Sequence, residues 1–184
     1  MTDGDGVRIV RYGLGHAPSL AEAARESSAL TEPWLPWCHP NYSEEEARSW
    51  NEARSLGFEL DADEPGAEYQ FAVEDAADGR FLGGIGLDSI RRPHGVANLG
   101  YWVRSSATGR GVATAAVRQL ASWAFARTGL ARLELLIPET NAASLRVAAK
   151  VGARREGLLR ARLLIAGRRH DAWLHALVRP GDGD

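Results

Sequence analysis

The sequence predicts a mixed α/β fold of the α+β kind, in which an antiparallel β-meander leads into a parallel β-α-β core and closes on a C-terminal hairpin. Three observations carry that prediction. Between Tyr69 and Val103, three β-like runs (YQFAVED, RFLGGIGLDSI, VANLGYWV) are separated by turn residues. From Ser105 to Ile137 the order changes to glycine loop, long amphipathic helix and short apolar strand, the pattern of a parallel crossover. After Gly152, two further β-like runs flank Ala166-Gly167-Arg168.

The elements follow in order. Val7 to Arg11 (VRIVR) alternates and reads as a first strand, and the Ala/Glu-rich LAEAARESSAL reads as a helix whose start is marked by Pro18 or Ser19. In TEPWLPWCHPNY, Pro33, Pro36 and Pro40 forbid continuous helix while Trp34, Leu35 and Trp37 carry large apolar area, which predicts an ordered loop. Ser43 followed by Glu46 is a capping box, so a second helix is expected from Glu44 to about Leu56. DADEPGAE is a connector, and Asp78-Gly79 makes the first turn of the meander. VATAAVRQLASWAFART is a helix ending before Gly129, and LELLI a buried strand. Asn141 opens the helix AASLRVAAKV, which Gly152 closes; GLLRARLLI and RHDAWLHALV form the last hairpin.

Composition bounds the function. A chain of 184 residues with 45% apolar and 25% charged side chains fits one domain, residues 1–184, with a core that needs no disulfide or structural metal. Near balance between 22 bases and 24 acids argues against a nucleic-acid or anionic-membrane binder driven by bulk charge. A single cysteine, Cys38, excludes an internal disulfide and a cysteine-rich metal site. MTDGDGVRIV has neither a basic leader nor an apolar h-region, and no run approaches the roughly 20 apolar residues of a membrane span. A cytoplasmic protein is expected, and a homodimer, with neither metal nor membrane as partner.

The informative segment is Leu99 to Thr114, LGYWVRSSATGRGVAT, a strand, a loop and a helix start with Gly109 and Gly111 at the junction. Glycines let backbone N–H groups turn toward a ligand, and a helix start adds unpaired donors and partial positive charge, so this corner can hold a diphosphate. A purely structural turn is the plain alternative. A Walker A loop needs Gly-Lys-Ser/Thr where Gly111-Val112-Ala113 stands. A Rossmann loop needs a third glycine or alanine at Thr114 and an acidic residue ending the next strand, whereas Glu134 lies early in LELLI.

Thr108-Gly109-Arg110-Gly111-Val112-Ala113 resembles the Gln/Arg-x-x-Gly-x-Gly/Ala pyrophosphate loop of the GNAT superfamily of acyl-CoA-dependent N-acyltransferases, departing from it at Thr108. The remaining motifs resemble its RimJ/RimL branch, the ribosomal-protein N-terminal acetyltransferases. These are Gly100-Tyr101-Trp102-Val103, Glu139-Thr140-Asn141-Ala142-Ala143-Ser144, Lys150-Val151-Gly152-Ala153 with Ala for an aromatic, Glu156-Gly157 with Arg160, and the lid-like Trp34 to Trp37. The resemblance covers nearly the whole chain in order.

It implies an acetyl group, or another acyl group such as succinyl, carried by CoA to a primary amine by direct attack. The acceptor would be a protein N-terminus or a small amine; a non-catalytic acyl-CoA sensor is the reading from another class. Pantetheine would lie between the splayed GYWV and LELLI strands, against Trp102, Val103 and Arg104, with the diphosphate on the N–H groups of Thr108, Gly109, Arg110, Gly111, Val112, Ala113 and Thr114, and with Arg104 and Arg110 adding charge. Asn141 would lie beside pantetheine, and the Ser144 hydroxyl would serve the departing thiolate. Asn98 stands where many members carry a basic carboxylate, so Glu68 and Asp88, which flank the meander strands, are the candidate bases acting through water. Trp34, Trp37 and Tyr42 would cover the acceptor. Cys38 has no evident base beside it, and His170 and His175, five apart on a strand, do not make a metal pair.

Overall fold

The computed structural model describes residues 6–31, 33–59 and 68–182. One seven-stranded sheet, ordered β1-β2-β3-β4-β5-β7-β6, contains β1 (Val7–Arg11), β2 (Tyr69–Asp75), β3 (Phe81–Arg91), β4 (Val96–Val103), β5 (Arg132–Pro138), β6 (Arg154–Ile165) and β7 (Arg168–Val178). The helices are α1 (Ala17–Thr31), α2 (Glu44–Glu59), α3 (Val112–Arg127) and α4 (Ala142–Lys150). All pairs are antiparallel except β4 with β5. The meander, crossover and final hairpin are as the sequence predicts.

Local chemistry accounts for most boundaries. Ser43 and Glu46 form a reciprocal capping box, the Glu46 N–H donating to Ser43 Oγ (3.1 Å) and the Ser43 N–H to Glu46 Oε2 (2.8 Å). Asn141 caps α4 by accepting from the Ser144 N–H (3.1 Å), and Gly152 follows its end at φ +78°. Two boundaries differ from expectation. α1 begins at Ala17, after a single 3₁₀ turn, so neither Pro18 nor Ser19 marks its start; proline fits the first helical turn because no N–H is needed there. β6 starts at Arg154, three residues before Gly157, because β7 offers a partner that far along. Most of the expected DADEPGAE connector lies outside the described residues. No described helix is long and apolar enough to cross a membrane.

The two sheet faces are covered differently. α3 lays Val117, Leu120 and Ala124, each fully buried, on a face built from Ile85, Leu87, Leu99, Leu133 and Leu135. Each such aliphatic side chain contributes about 1.5–3 kcal/mol. The opposite face carries α1 with the 33–43 loop, through a smaller cluster of Leu20, Ala21, Ala24, Cys38, Tyr42 and Phe81. That face has glycines where the other has leucines: Gly84 opposite Trp102, and Gly86 opposite Gly100.

The sheet comes apart in the middle. β4 and β5 pair only at Val96–Arg132, Ala97–Leu133 and Asn98–Glu134, while β3 and β7 hold their outer edges to the ends of both strands. Leu99 to Val103 and Leu135 to Pro138 therefore face each other without a ladder.

Gly83 locks β4 in place from the other side: a Cβ there would lie 2.2 Å from Trp102 O and 2.9 Å from Val103 Cα. Gly83→Ala is expected to lower unfolding stability by about 2–4 kcal/mol in urea titration. Gly100→Ala meets nothing within 4 Å, and should leave stability unchanged or raise it by up to about 1 kcal/mol.

Candidate active site

The slot between β4 and β5 is the candidate site. Its two inner edges present backbone N–H and C=O groups with no strand partner, which an extended, amide-bearing ligand can satisfy as an added strand does. Because the strands are parallel, the N-termini of α3 and α4 both lie at its open end.

At the mouth, Gly109 (φ +75°) and Gly111 (φ +83°) adopt left-handed conformations, and nothing lies within 4 Å of a Cβ built on either. Packing does not demand glycine here; backbone direction does. Gly111 is the N-cap of α3, with no side chain capping it and no acidic residue in the first turn. The N–H groups of that first turn thus remain available to an anion. Thr108, Gly109, Arg110 and Gly111 are exposed, whereas the Val112 and Thr114 side chains are buried, so those two offer only backbone. The Thr108 hydroxyl (2.9 Å) and N–H (3.2 Å) both donate to Ser105 O, so the N–H expected to meet the diphosphate is instead used in shaping the turn.

Arg104 is a correction. Its side chain was expected beside the diphosphate, but it is 7% exposed and turned into the protein. There it donates to Glu22 Oε1 (2.8 Å), to Glu26 Oε2 through Nε (2.9 Å) and Nη2, and to Phe81 O (3.2 Å). A guanidinium without water needs carboxylates, and α1 supplies two. Glu26 also accepts from Ser105 Oγ (2.8 Å) and the Ser106 N–H (2.7 Å), and Ser27 Oγ accepts from the Ser105 N–H (2.9 Å). The Arg104 guanidinium, helped by these donors against the cost of burial, holds the Glu26 carboxyl down at about 2. Sequence reading missed Glu26 and Ser27, because nothing local marks a helix residue whose partner is 78 positions away.

On the α4 side, the Asn141 side-chain oxygen is used in the cap, accepting from the Ser144 N–H. The Tyr101 hydroxyl donates to Ser144 O at 3.4 Å, linking β4 to α4, and burial pushes its phenol up. Tyr101 was read only as part of GYW.

On the α1 side, Trp37 meets both Tyr42 (5.6 Å between ring centroids) and Trp102 (5.4 Å) edge to face. Trp37 is 39% exposed; Tyr42 is buried, its phenol pushed up to about 12 chiefly by burial. Trp34 is half-buried, with no ring contact to this group among the described residues. The Trp102 side chain belongs to this cluster, so only its backbone faces the slot. The Cys38 thiol donates to Ala24 O (3.1 Å), and burial pushes it up, away from thiolate chemistry.

The candidate bases separate. Asp88 sits opposite Asn98, at the closed end of the slot, and accepts from Asn98 Nδ2 on both oxygens (3.2 Å each) and from Ser89 Oγ (2.8 Å). Glu68 precedes β2, three strand spacings of about 4.8 Å from β5, and is paired with Arg54 (3.3 Å) and Gln70 (3.1 Å). Glu134, passed over in sequence, is Asn98's other neighbour and is held by Arg91 and Arg132 at 3.0 Å each. Among the described residues, no three His, Cys, Asp or Glu side chains converge as metal ligands.

Residues 7–154 match the acetyltransferase (GNAT) domain family, and the chain belongs to it. It is similar to the probable N-acetyltransferase YjcK of Bacillus subtilis, with 34% identity over 116 residues, covering 62% of this chain and 64% of that protein. The chain thus spans a little under two thirds of this curated relative. Among solved structures, Mycobacterium smegmatis RimJ in complex with CoA-disulfide superposes with a TM-score of 0.83 at 27% identity, covering 97% of this chain and 83% of the other. The Salmonella typhimurium acetyltransferase that modifies the N-terminal serine of ribosomal protein L7/L12 superposes at 0.81 over 95% of both chains. At 19% identity, this second likeness shows the fold alone.

The clamp from α1 makes a measurable difference between ligands with and without a diphosphate. Glu26→Gln is expected to raise the Kd for acetyl-CoA about tenfold, while S-acetyl-pantetheine, which lacks the diphosphate, loses less than about twofold. Calorimetry with both ligands tests it, and equal losses would mean that the clamp only supports the fold. Since the Glu26 carboxyl titrates at about 2, its charge is full above the ordinary carboxylate range and is lost only as pH falls toward 2. The clamp should therefore be constant across any neutral assay.

Proposed function

We propose that the protein transfers an acetyl group from acetyl-CoA to a protein N-terminal α-amine, by direct attack in a ternary complex. The observation that carries this reading is the slot between β4 and β5 with the uncapped α3 N-terminus at its mouth. Pantetheine amides pair with the free strand edges at Trp102, Val103 and Arg104. The diphosphate rests on the N–H groups from Gly109 to Thr114, with Arg110 beside it. The thioester then reaches the closed end, near Asn98 and Asp88.

The α-amine is chosen on acid–base grounds. With a pKa of about 7.7–8.0, roughly a tenth of an α-amino group is free base at pH 7, against less than about a thousandth of a lysine. Little basicity is then required of the enzyme, and Asp88, oriented by Asn98, takes the proton through water; Glu68, neutralised by Arg54, is the lesser candidate. Attack gives a tetrahedral intermediate, which collapses with the CoA sulfur leaving. The Ser144 hydroxyl donates to that sulfur, and Asn141 holds the turn that presents it. Trp37 and Trp102 wall the acceptor entrance. The reading is supported by the CoA-disulfide complex named for the RimJ neighbour.

Free-thiol release with acetyl-CoA and a panel of peptides and small amines tests the activity; binding of acetyl-CoA without turnover on any amine would favour a sensor instead. Gly111→Glu is expected to abolish acetyl-CoA binding in calorimetry while circular dichroism stays native, since a side chain and a negative charge replace the anion. Ser144→Ala should lower kcat by about ten- to a hundredfold and change the acetyl-CoA Kd by less than about twofold.

A further inference from the structure

Past the end of β5, the β6–β7 hairpin continues alone. β5 stops at Pro138, opposite Ala172, whereas β7 starts at Arg168 and β6 runs to Ile165. Residues 160–171 therefore form a two-stranded arm reaching about 13 Å beyond β5, at the end of the sheet where α3 and α4 begin. Its base adjoins the site, because the Glu139 N–H, in the turn before Asn141, donates to Asp171 O (3.1 Å).

The arm is strongly cationic. Arg160, Arg162, Arg168 and Arg169 are all exposed, and none has a carboxylate partner among the described residues. With Arg154 and Arg155, six arginines and one glutamate occupy residues 154–169 of a chain whose net charge is −2, so the rest of the molecule is acidic. Elsewhere on the sheet and its flanks, Arg8, Arg54, Arg91, Arg104 and Arg132 are each ion-paired.

The one carboxylate on the arm is otherwise engaged. Pairing between β6 and β7 is interrupted between Leu159 and Leu163, Ala161 sits at φ +50°, and Asp171 Oδ1 accepts its N–H at 2.7 Å. Such a conformation is one that a non-glycine residue rarely adopts. The bulge re-aims its flanking residues, here Arg160 and Arg162.

We infer that this arm docks an acidic stretch of the acceptor polypeptide, downstream of the α-amine that enters the slot. The inference rests on the acyl-transfer reading above. From the closed end of the slot to the arm is about four to eight extended residues at about 3.3 Å each, so acidic side chains at about positions four to eight of the acceptor meet the arginines. Leu164, 61% exposed, adds apolar contact between them. A nucleic acid fits less well, because the hairpin's only aromatic, Trp173, is covered by Arg155 at 4.5 Å and offers no free stacking face. A second copy paired arm to arm would set arginine against arginine.

The test uses peptides sharing their first three residues and carrying either Asp/Glu or Asn/Gln at positions four to eight. They are assayed with wild type and with the combined variant Arg160→Gln, Arg162→Gln, Arg168→Gln, Arg169→Gln. Wild type is expected to favour the acidic peptide at least about tenfold in kcat/KM at low salt, less so near 0.15 M. The variant should lose that preference, with kcat/KM for the neutral peptide and the acetyl-CoA Kd within about twofold of wild type. Equal use of both peptides by wild type, or a preference that survives in the variant, would overturn docking and leave the arginines as guards of an edge strand. A weakened acetyl-CoA Kd in the variant would also overturn it, assigning the arm to the cofactor's phosphates. Fluorescence anisotropy of C-terminally labelled peptides reads the arm independently of chemistry. Arginine-dependent binding without acetylation would refute the transfer reading and keep the docking surface; absence of binding would refute the docking surface.

Discussion

The missing half of the β4–β5 ladder is the constraint on which the rest of the molecule depends. Two parallel strands that begin paired and then part leave backbone donors and acceptors unpaired in the middle of a sheet, a cost that folded proteins seldom accept without a partner. β4 can part from β5 because β3 holds it to its end, with Gly83 allowing backbone contact at Trp102. β5 can part because β7 pairs with it over its whole length. The core helix α3 packs beneath both strands, sharing one hydrophobic cluster with Leu99, Leu133 and Leu135.

The same constraint explains the long reach of α1. A glycine loop with two left-handed residues has few ways of holding its own shape; beyond the short turn in which the Ala107 and Thr108 N–H groups donate to Arg104 O and Ser105 O, little in it is self-supporting. Its geometry is instead set from outside, by Glu22, Glu26 and Ser27 gripping residues 104–106. Arg104 thus works as a buried bolt between helix and loop. Because α1 leads into the segment bearing Trp37, the element that shapes the glycine loop also precedes the aromatic cluster of Trp37, Tyr42 and Trp102. Charge is divided unevenly: Arg8, Arg54, Arg91, Arg104 and Arg132 are ion-paired, while among the described residues the four arginines of the arm beyond β5 have no carboxylate partner.

Much of this was legible in the residues. The Ser43–Glu46 box, the Asn141 cap, Gly152 and the Asp78-Gly79 turn act over three or four residues, and each lies where its chemistry requires. The glycine loop and helix start could likewise be read locally, since φ > 0 and an uncapped helix N-terminus are properties of a short segment. Arg104 was misread because arginine beside a phosphate loop and arginine buried against two glutamates look identical in sequence. Asp88 and Glu68 could not be ranked, since their distances from the slot depend on strand order and register.

By itself, then, the sequence determined the order of strands and helices, the anion-binding corner and the family resemblance, all carried by periodicity and by hydrogen bonds closed within a few residues. Tertiary structure alone decided where β4 and β5 separate, that Asn98 holds Asp88 at the closed end, that Glu26 rather than solvent faces Arg104, and that four arginines project past β5 with no carboxylate partner among the described residues. These depend on contacts between residues tens of positions apart, and no local pattern encodes which carboxylate a distant guanidinium will meet once the sheet has closed.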